Sequence, residues 1–253
     1  MGIIDEERKK LLLNAMNDRY EIKIFTKINF YKELVKKYSP KIRNIIHSEL
    51  KSNGLKFTVN NLVTPNISEN SYYYISLLAI FFAITENYGL LFQIRTLVLF
   101  PPDFDLYHKA TDINENNFIQ LQYSNHTLVL NSIFDKLLIL VNRTLRLGIP
   151  DRNVREHSLK NNYWVKKYEI NKIIGQISNN INEIRKESNI YRHLGKLGDV
   201  DKFLEDNKKI NKNAIYKKLQ KNEKLMFDSI IEITDGLLIA FRKWDSVIEK
   251  MTK

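Results

Sequence analysis

The chain contains no cysteine. That excludes a disulfide scaffold, a thiol nucleophile and any cysteine-ligated zinc site. Glycine and proline are sparse, at eight and five in 253 residues. β-Sandwiches and βαβ folds need more turn punctuation than this. There is no glycine-rich phosphate loop, no internal repeat and no His-x-x-x-His pair. The most apolar stretch, Tyr72 to Thr85, is closed by Glu86-Asn87 and falls short of the ~20 residues that span a bilayer. Asp5 and Glu6 precede any apolar run, unlike a secretory signal. Glu6 also stands where a myristoylation pattern wants Ser or Thr. The expectation is a cytoplasmic protein with no membrane role and a core helix at 72–85.

Hydrophobic residues make up 43% of the chain, enough to bury a real core. Forty Lys and Arg against 29 Asp and Glu leave a net charge of +11. Such a surplus favours an anionic partner, nucleic acid first and an anionic membrane surface second. A chain rich in Lys, Asn and Ile also carries such a surplus through composition alone.

Four long amphipathic helices are predicted between residues 68 and 253, at about 68–98, 125–147, 163–193 and 217–251. Gly148, followed by Pro150, suits the C′ position of the second. In the third, Ile170, Ile173, Ile174, Ile177, Ile181 and Ile184 form one stripe. In the fourth, Met226, Ile230, Ile233, Leu237, Ala240, Trp244 and Val247 alternate steps of four and three, as a bundle seam requires. The fold class is therefore all-α, a four-helix bundle. Residues 1–67 form an N-terminal subdomain or extra helices packed on the bundle at 68–253, with a short strand or extended loop at 55–64. Residues 101–122 read as a polar connection and 199–216 as a solvated loop or short helix.

The chemistry-bearing residues are few. Of the five histidines, His47, His108, His126, His157 and His193, three have an arginine shortly upstream. His47 reads as a surface residue of an N-terminal helix, and His108 and His126 flank a loop with no specific task. The segment Arg152-Asn153-Val154-Arg155-Glu156-His157 reads R-N-x-x-x-H. A second segment, from Arg185 through Ser188-Asn189-Ile190-Tyr191-Arg192-His193, closes the third helix. An Arg–Asn–His motif in a helical bundle resembles the HEPN superfamily, helical domains of bacterial toxin and phage-defence systems. The resemblance covers about residues 70–250. It extends to Ile133-Phe134-Asp135-Lys136-Leu137-Leu138 ahead of Asn142, and by position it places the motif at 188–193. There Asn189 and His193 match and Ser188 replaces the arginine, with Arg185 and Arg192 as stand-ins.

The resemblance implies a metal-independent endoribonuclease of a toxin or antiviral defence system, without a cofactor. It also implies a homodimer with motifs facing across the interface, and an antitoxin or defence partner. The residue types suit that chemistry. RNA carries its own 2′-OH nucleophile, a neutral His can take its proton, and Arg can neutralise the phosphorane. On one helix Arg185, Asn189, Arg192 and His193 share a face. Arg152 and His157 lie about 140° apart on an unbroken helix and converge only across a helix start, which Asp151 could cap.

Blander readings account for the same residues. Basic side chains at a helix end oppose its dipole without any catalytic task. An Arg and a His within six residues also arise by chance in a chain this basic. Ser188 in place of arginine favours an inactive HEPN-like module that only binds RNA or protein. Lys208, Lys209, Lys212, Lys217 and Lys218, with Lys221 and Lys224, form a basic stretch that could track a phosphate backbone or simply be solvated. Asp103, Asp105 and Asp112 lack the glycine and terminal Glu of a calcium loop, so no metal site is assigned.

Overall fold

A computed structural model describes residues 28–37, 48, 69–102, 114–194, 200–204 and 210–251. The described chain is all-α, a helical bundle. Its helices are α1 (Asn29–Lys37), α2 (Glu69–Leu99), α3 (Glu115–Thr144), α4 (Glu156–Lys160), α5 (Tyr163–Lys167), α6 (Ile170–Asn180), α7 (Asn182–Leu194) and α8 (Lys212–Met251). Among the described residues there is no strand, only an isolated antiparallel bridge between Leu204 and Ile210. The expected strand or loop at 55–64, His47, His108 and the acidic Asp103, Asp105 and Asp112 lie outside the described residues.

Helices α3 and α8 start where asparagine side chains cap them. Asn117 N donates to Asn114 Oδ1 at 2.9 Å, so α3 begins at Glu115 and not near Asn125. Ala214 N donates to Asn211 Oδ1 at 2.9 Å, so α8 begins at Lys212 and not near Lys217. Each accepted bond satisfies one of the orphan donors of the first turn. The polar connection therefore stops before residue 115, and α3 already buries Ile119 and Tyr123 completely.

The end of α3 also differs from expectation. Leu147 N donates to Asn142 O at 3.0 Å and Arg146 N to Arg143 O at 3.1 Å. This is a Schellman motif with Arg146, not Gly148, at C′. Arg146 adopts φ +50, in the left-handed region that favours glycine.

The expected continuous helix at 163–193 is three helices. Its isoleucine stripe is real: Ile170, Ile174, Ile177, Ile181 and Ile184 are buried, while Ile173 is half-buried. The backbone breaks at Glu169, which takes φ +58, and again at the turn residue Ile181. On α8 the predicted seam holds, with Met226, Ile230, Ile233, Leu237 and Ala240 wholly buried. A fully buried Leu or Ile contributes about 1.5–3 kcal/mol. Trp244 is half-buried.

Helix α2 is 31 residues long, so the apolar stretch at 72–85 is only its first half. The span Tyr73–Leu99 reaches a mean hydropathy of 1.7 over an 18-residue window and is long and apolar enough to cross a membrane, with half of that window buried inside the chain. It also carries Arg95, 1% exposed.

Contacts group the chain into two compact units. The first comprises Met1–Ile24, Glu86–Phe134 and Ser178–Ser229; the second comprises Phe25–Thr85, Asp135–Ile177 and Ile230–Lys253. In the first unit Val98, Ile119, Tyr123, Val200, Ile210, Ile215 and Leu219 form a buried cluster, with Phe203 packed against it. In the second, α1 packs on α2 and α8. Phe30 meets Phe241 at 5.3 Å, Tyr31 stacks on Phe81 at 4.9 Å, and Arg242 Nη2 donates to Glu33 at 2.9 Å. Gly236 on α8 permits a close approach, since a Cβ there would lie 2.8 Å from Ile173 Cδ1.

Candidate nucleic-acid interface

Helix α7 presents two sides. Ile184 and Ser188 face the core, with Ser188 wholly buried. Asn189, Arg192 and His193 are exposed, at i, i+3 and i+4. Arg192 and His193, in this last turn, face the negative end of the helix dipole. An ion-paired network holds α7. Tyr123 Oη donates to Glu187 at 3.1 Å, and Lys202 Nζ lies 3.5 Å from the same carboxylate. Tyr123 belongs to the buried cluster of the first unit. The exposed face of α7 is thus tied through Glu187 to the buried cluster of the first unit.

Within the candidate constellation the residues behave differently. Arg185 is half-buried and turned inward; its Nη1 donates to Ser178 Oγ at 2.8 Å, and its guanidinium lies 5.2 Å from the Phe134 ring centroid. Arg192 and Tyr191 line an open groove of about 670 Å³ with Asn87, Leu128, Val129 and Ser132. Asn87 Nδ2 donates to Ser132 Oγ at 3.1 Å on its wall. Ser188 Oγ has no hydrogen-bond partner among the described residues. An arginine at that position would point into the core, away from Asn189 and His193.

The literal R-N-x-x-x-H segment lies in the second unit. Arg152 and Asn153 sit in a short 3-10 turn, Asp151–Asn153, and both are exposed. Asp151 does not cap a helix: the residue at the cap position is Pro150, and the Asp151 carboxylate pairs with Arg143. Helix α4 instead starts after Arg155, whose N donates to Ser158 Oγ at 3.1 Å. His157, in its first turn, is exposed, and Asn161 Nδ2 lies 3.0 Å from His157 Nε2. The amide donates there, so Nε2 is already occupied as an acceptor. The structure brings no hydrogen bond between His157 and Arg152 or Asn153 among the described residues.

The predicted basic stretch divides too. Lys208 and Lys209 lie outside the described residues. Lys212 is held in an ion pair by Glu115. Lys217 is exposed and lines a pocket of about 560 Å³ together with Lys221, Lys224, Tyr88 and Phe227. Tyr88 and Phe227 are 5.7 Å apart between ring centroids. Lys218 lines a neighbouring pocket of about 350 Å³ with Lys221, Lys224 and Asn222.

The sequence gives no warning of what lies at the first of these pockets. Arg95 and Glu223 line it as well. Arg95 Nε is 3.0 Å from Glu223, its Nη1 donates to Tyr216 Oη at 2.6 Å, and its guanidinium lies 4.7 Å from the Tyr216 ring centroid. His126 Nε2 lies 3.1 Å from the same Glu223 carboxylate. His126 is wholly buried inside α3 and does not flank a loop, so its reading as a residue without a task is corrected. Three polar residues 31 and 97 positions apart in the chain carry no local motif; only the pattern of an Arg inside an apolar helix could have pointed to a buried partner.

Among the described residues no group of three or more His, Asp or Glu side chains could hold a metal ion. No protein-family model matches the chain, and neither a curated protein nor a solved structure matches it.

Proposed function

We propose that the chain acts on RNA as a HEPN-type, metal-independent endoribonuclease of a toxin or antiviral defence system, with its site on the exposed face of α7. The observation that supports this reading is the joint exposure of Asn189, Arg192 and His193 at one helix end, beside a groove that Arg192 and Tyr191 line. In this mechanism His193 takes the proton of the 2′-OH, and the 2′-oxygen attacks the adjacent phosphorus. Arg192 neutralises the phosphorane and Asn189 orients the phosphate. The 5′-oxygen leaves with a proton from the His193 of a second copy, which leaves a 2′,3′-cyclic phosphate. Lys217 and Lys218 hold the backbone. His157 instead has Nε2 engaged by Asn161 within its own helix end.

The test is cleavage of labelled RNA in EDTA by the purified chain. Products with 2′,3′-cyclic phosphate ends, lost in His193→Ala and retained in His157→Ala, support the reading. If wild type is inert on varied RNAs the enzyme reading fails, and if His193→Ala cuts as wild type the α7 site fails.

One observation favours a second reading, a HEPN-like module that binds RNA without cutting it. The position that should hold the motif arginine is Ser188, and it is wholly buried. This module binds RNA with a steep salt dependence and no turnover.

A further inference from the structure

The Schellman end of α3 holds an arginine where the backbone favours glycine. Arg146, at φ +50, is half-buried, and its guanidinium lies 4.4 Å from the Tyr73 ring centroid. Tyr73 is itself fixed, buried and donating through Oη to Thr144 O at 3.2 Å. One turn earlier, Arg143 Nη1 donates to Ser76 O at 2.8 Å, and its Nη2 pairs with the Asp151 carboxylate. Both arginines line a single pocket of about 520 Å³, with Tyr73, Ser76 and Asp151 among its walls. That volume lies within the roughly 300–1,000 Å³ of small-ligand sites.

Helix packing alone would be served by glycine at C′. A left-handed non-glycine residue marks a position where the surroundings hold the chain against its preference, and such positions cluster at ligand clamps. Here the held group is a guanidinium, and a second arginine lines the same pocket. Two guanidinium forks suit an anion with several oxygens. A lone carboxylate is already supplied to Arg143 by Asp151, so the pocket has room for a group that also reaches Arg146. We propose that this pocket binds a phosphate group, bridged by Arg143 and Arg146, with Asp151 as an internal competitor that the phosphate displaces. The phosphate belongs to a small molecule or to an RNA backbone. The proposal does not depend on cleavage at His193.

Titration calorimetry of the full chain with inorganic phosphate, and separately with a short single-stranded oligoribonucleotide, tests it. Wild type should bind phosphate saturably. Arg146→Gly, which suits the backbone, should keep its melting temperature and weaken binding about tenfold or more. Asp151→Asn, an exposed change, should tighten binding about threefold or more by removing the competing carboxylate. An oligoribonucleotide that binds more tightly than phosphate, and loses affinity in Arg146→Gly, assigns the phosphate to RNA. Weaker oligoribonucleotide binding assigns it to a small molecule. Absence of saturable binding by either probe overturns the proposal. So does unchanged affinity in Asp151→Asn, which decides the matter even if Arg146→Gly is unstable.

Discussion

Arg95 Nε lies 3.0 Å from the Glu223 carboxylate, with both side chains almost wholly removed from solvent. Glu223 also meets His126 at 3.1 Å. Taking two charges out of water is costly, and mutual attraction offsets that cost only while both partners remain. Glu223→Ala leaves a buried guanidinium uncompensated and should destabilise the fold by about 3–5 kcal/mol. The melting temperature should fall by roughly 10 °C, at about 2–4 °C per kcal/mol for a chain of this size. The double change Arg95→Met with Glu223→Leu removes both charges and should recover most of the loss. Urea denaturation of the three chains checks this. A double variant no more stable than Glu223→Ala would mean that packing, not the charge pair, sets the cost.

This pair also marks the limit of what the sequence reveals. The bundle was legible because burial of Met226, Ile230, Ile233, Leu237 and Ala240 repeats at helical spacing. The isoleucine stripe at 170–184 was legible for the same reason. The breaks were not: the left-handed Glu169 stands just ahead of the stripe and leaves its spacing intact, and at the turn residue Ile181 the side chain stays buried in phase with Ile177 and Ile184. The early starts of α3 and α8 hid in asparagine-rich polar segments, where Asn114 and Asn211 read as loop residues and act as caps. The exposed placement of Asn189, Arg192 and His193 followed from helical phase. The inward direction of Arg185 did not, because it depends on Phe134 and Ser178.

Ser188 is a second test of the α7 face. The HEPN-type motif of the proposed reading would put arginine there, yet the side chain is wholly buried. Ser188→Arg should therefore destabilise the chain by several kcal/mol rather than raise activity, since it buries an unpaired charge. Ser188→Ala removes a buried hydroxyl that lacks a partner among the described residues. It should be neutral or stabilising by about 1 kcal/mol. Thermal melts with parallel RNA-cleavage assays decide. A folded Ser188→Arg chain with higher activity would show that the inward face is not closed.

Glu169 links a strained backbone to a pH effect. The hydrogen bond from Lys172 holds the Glu169 carboxyl below its ordinary range, and the Lys172 charge adds to this. A carboxyl depressed in the folded state stabilises above its unfolded value, near ~4.3 for Glu, and that contribution is lost as pH falls through the folded value. Lys172→Ala should raise the Glu169 value, seen by NMR titration of its side-chain carbonyl, and flatten the pH dependence of stability on the acid side. Glu169→Gly removes the pair but relieves φ +58. The left-handed cost of about 1–2 kcal/mol exceeds the entropy cost of glycine, so this variant should be more stable by up to about 1 kcal/mol at neutral pH.

Lysines of one helix should differ in their effect on RNA affinity. Lys212 is held by Glu115, whereas Lys217 is exposed at a pocket with Tyr88 and Phe227. A phosphate contact releases counterions, so each lysine that touches a single strand adds about 0.7 to the slope of log affinity against log salt. Lys217→Ala should weaken binding of a labelled oligoribonucleotide and lower that slope by about 0.7. Lys212→Ala removes a residue already paired within the chain and should leave the slope unchanged. Fluorescence anisotropy across a potassium chloride series reads both. Equal slopes in the two variants would place the RNA elsewhere than along α8, and a slope near zero in wild type would remove RNA as the partner of this basic surface.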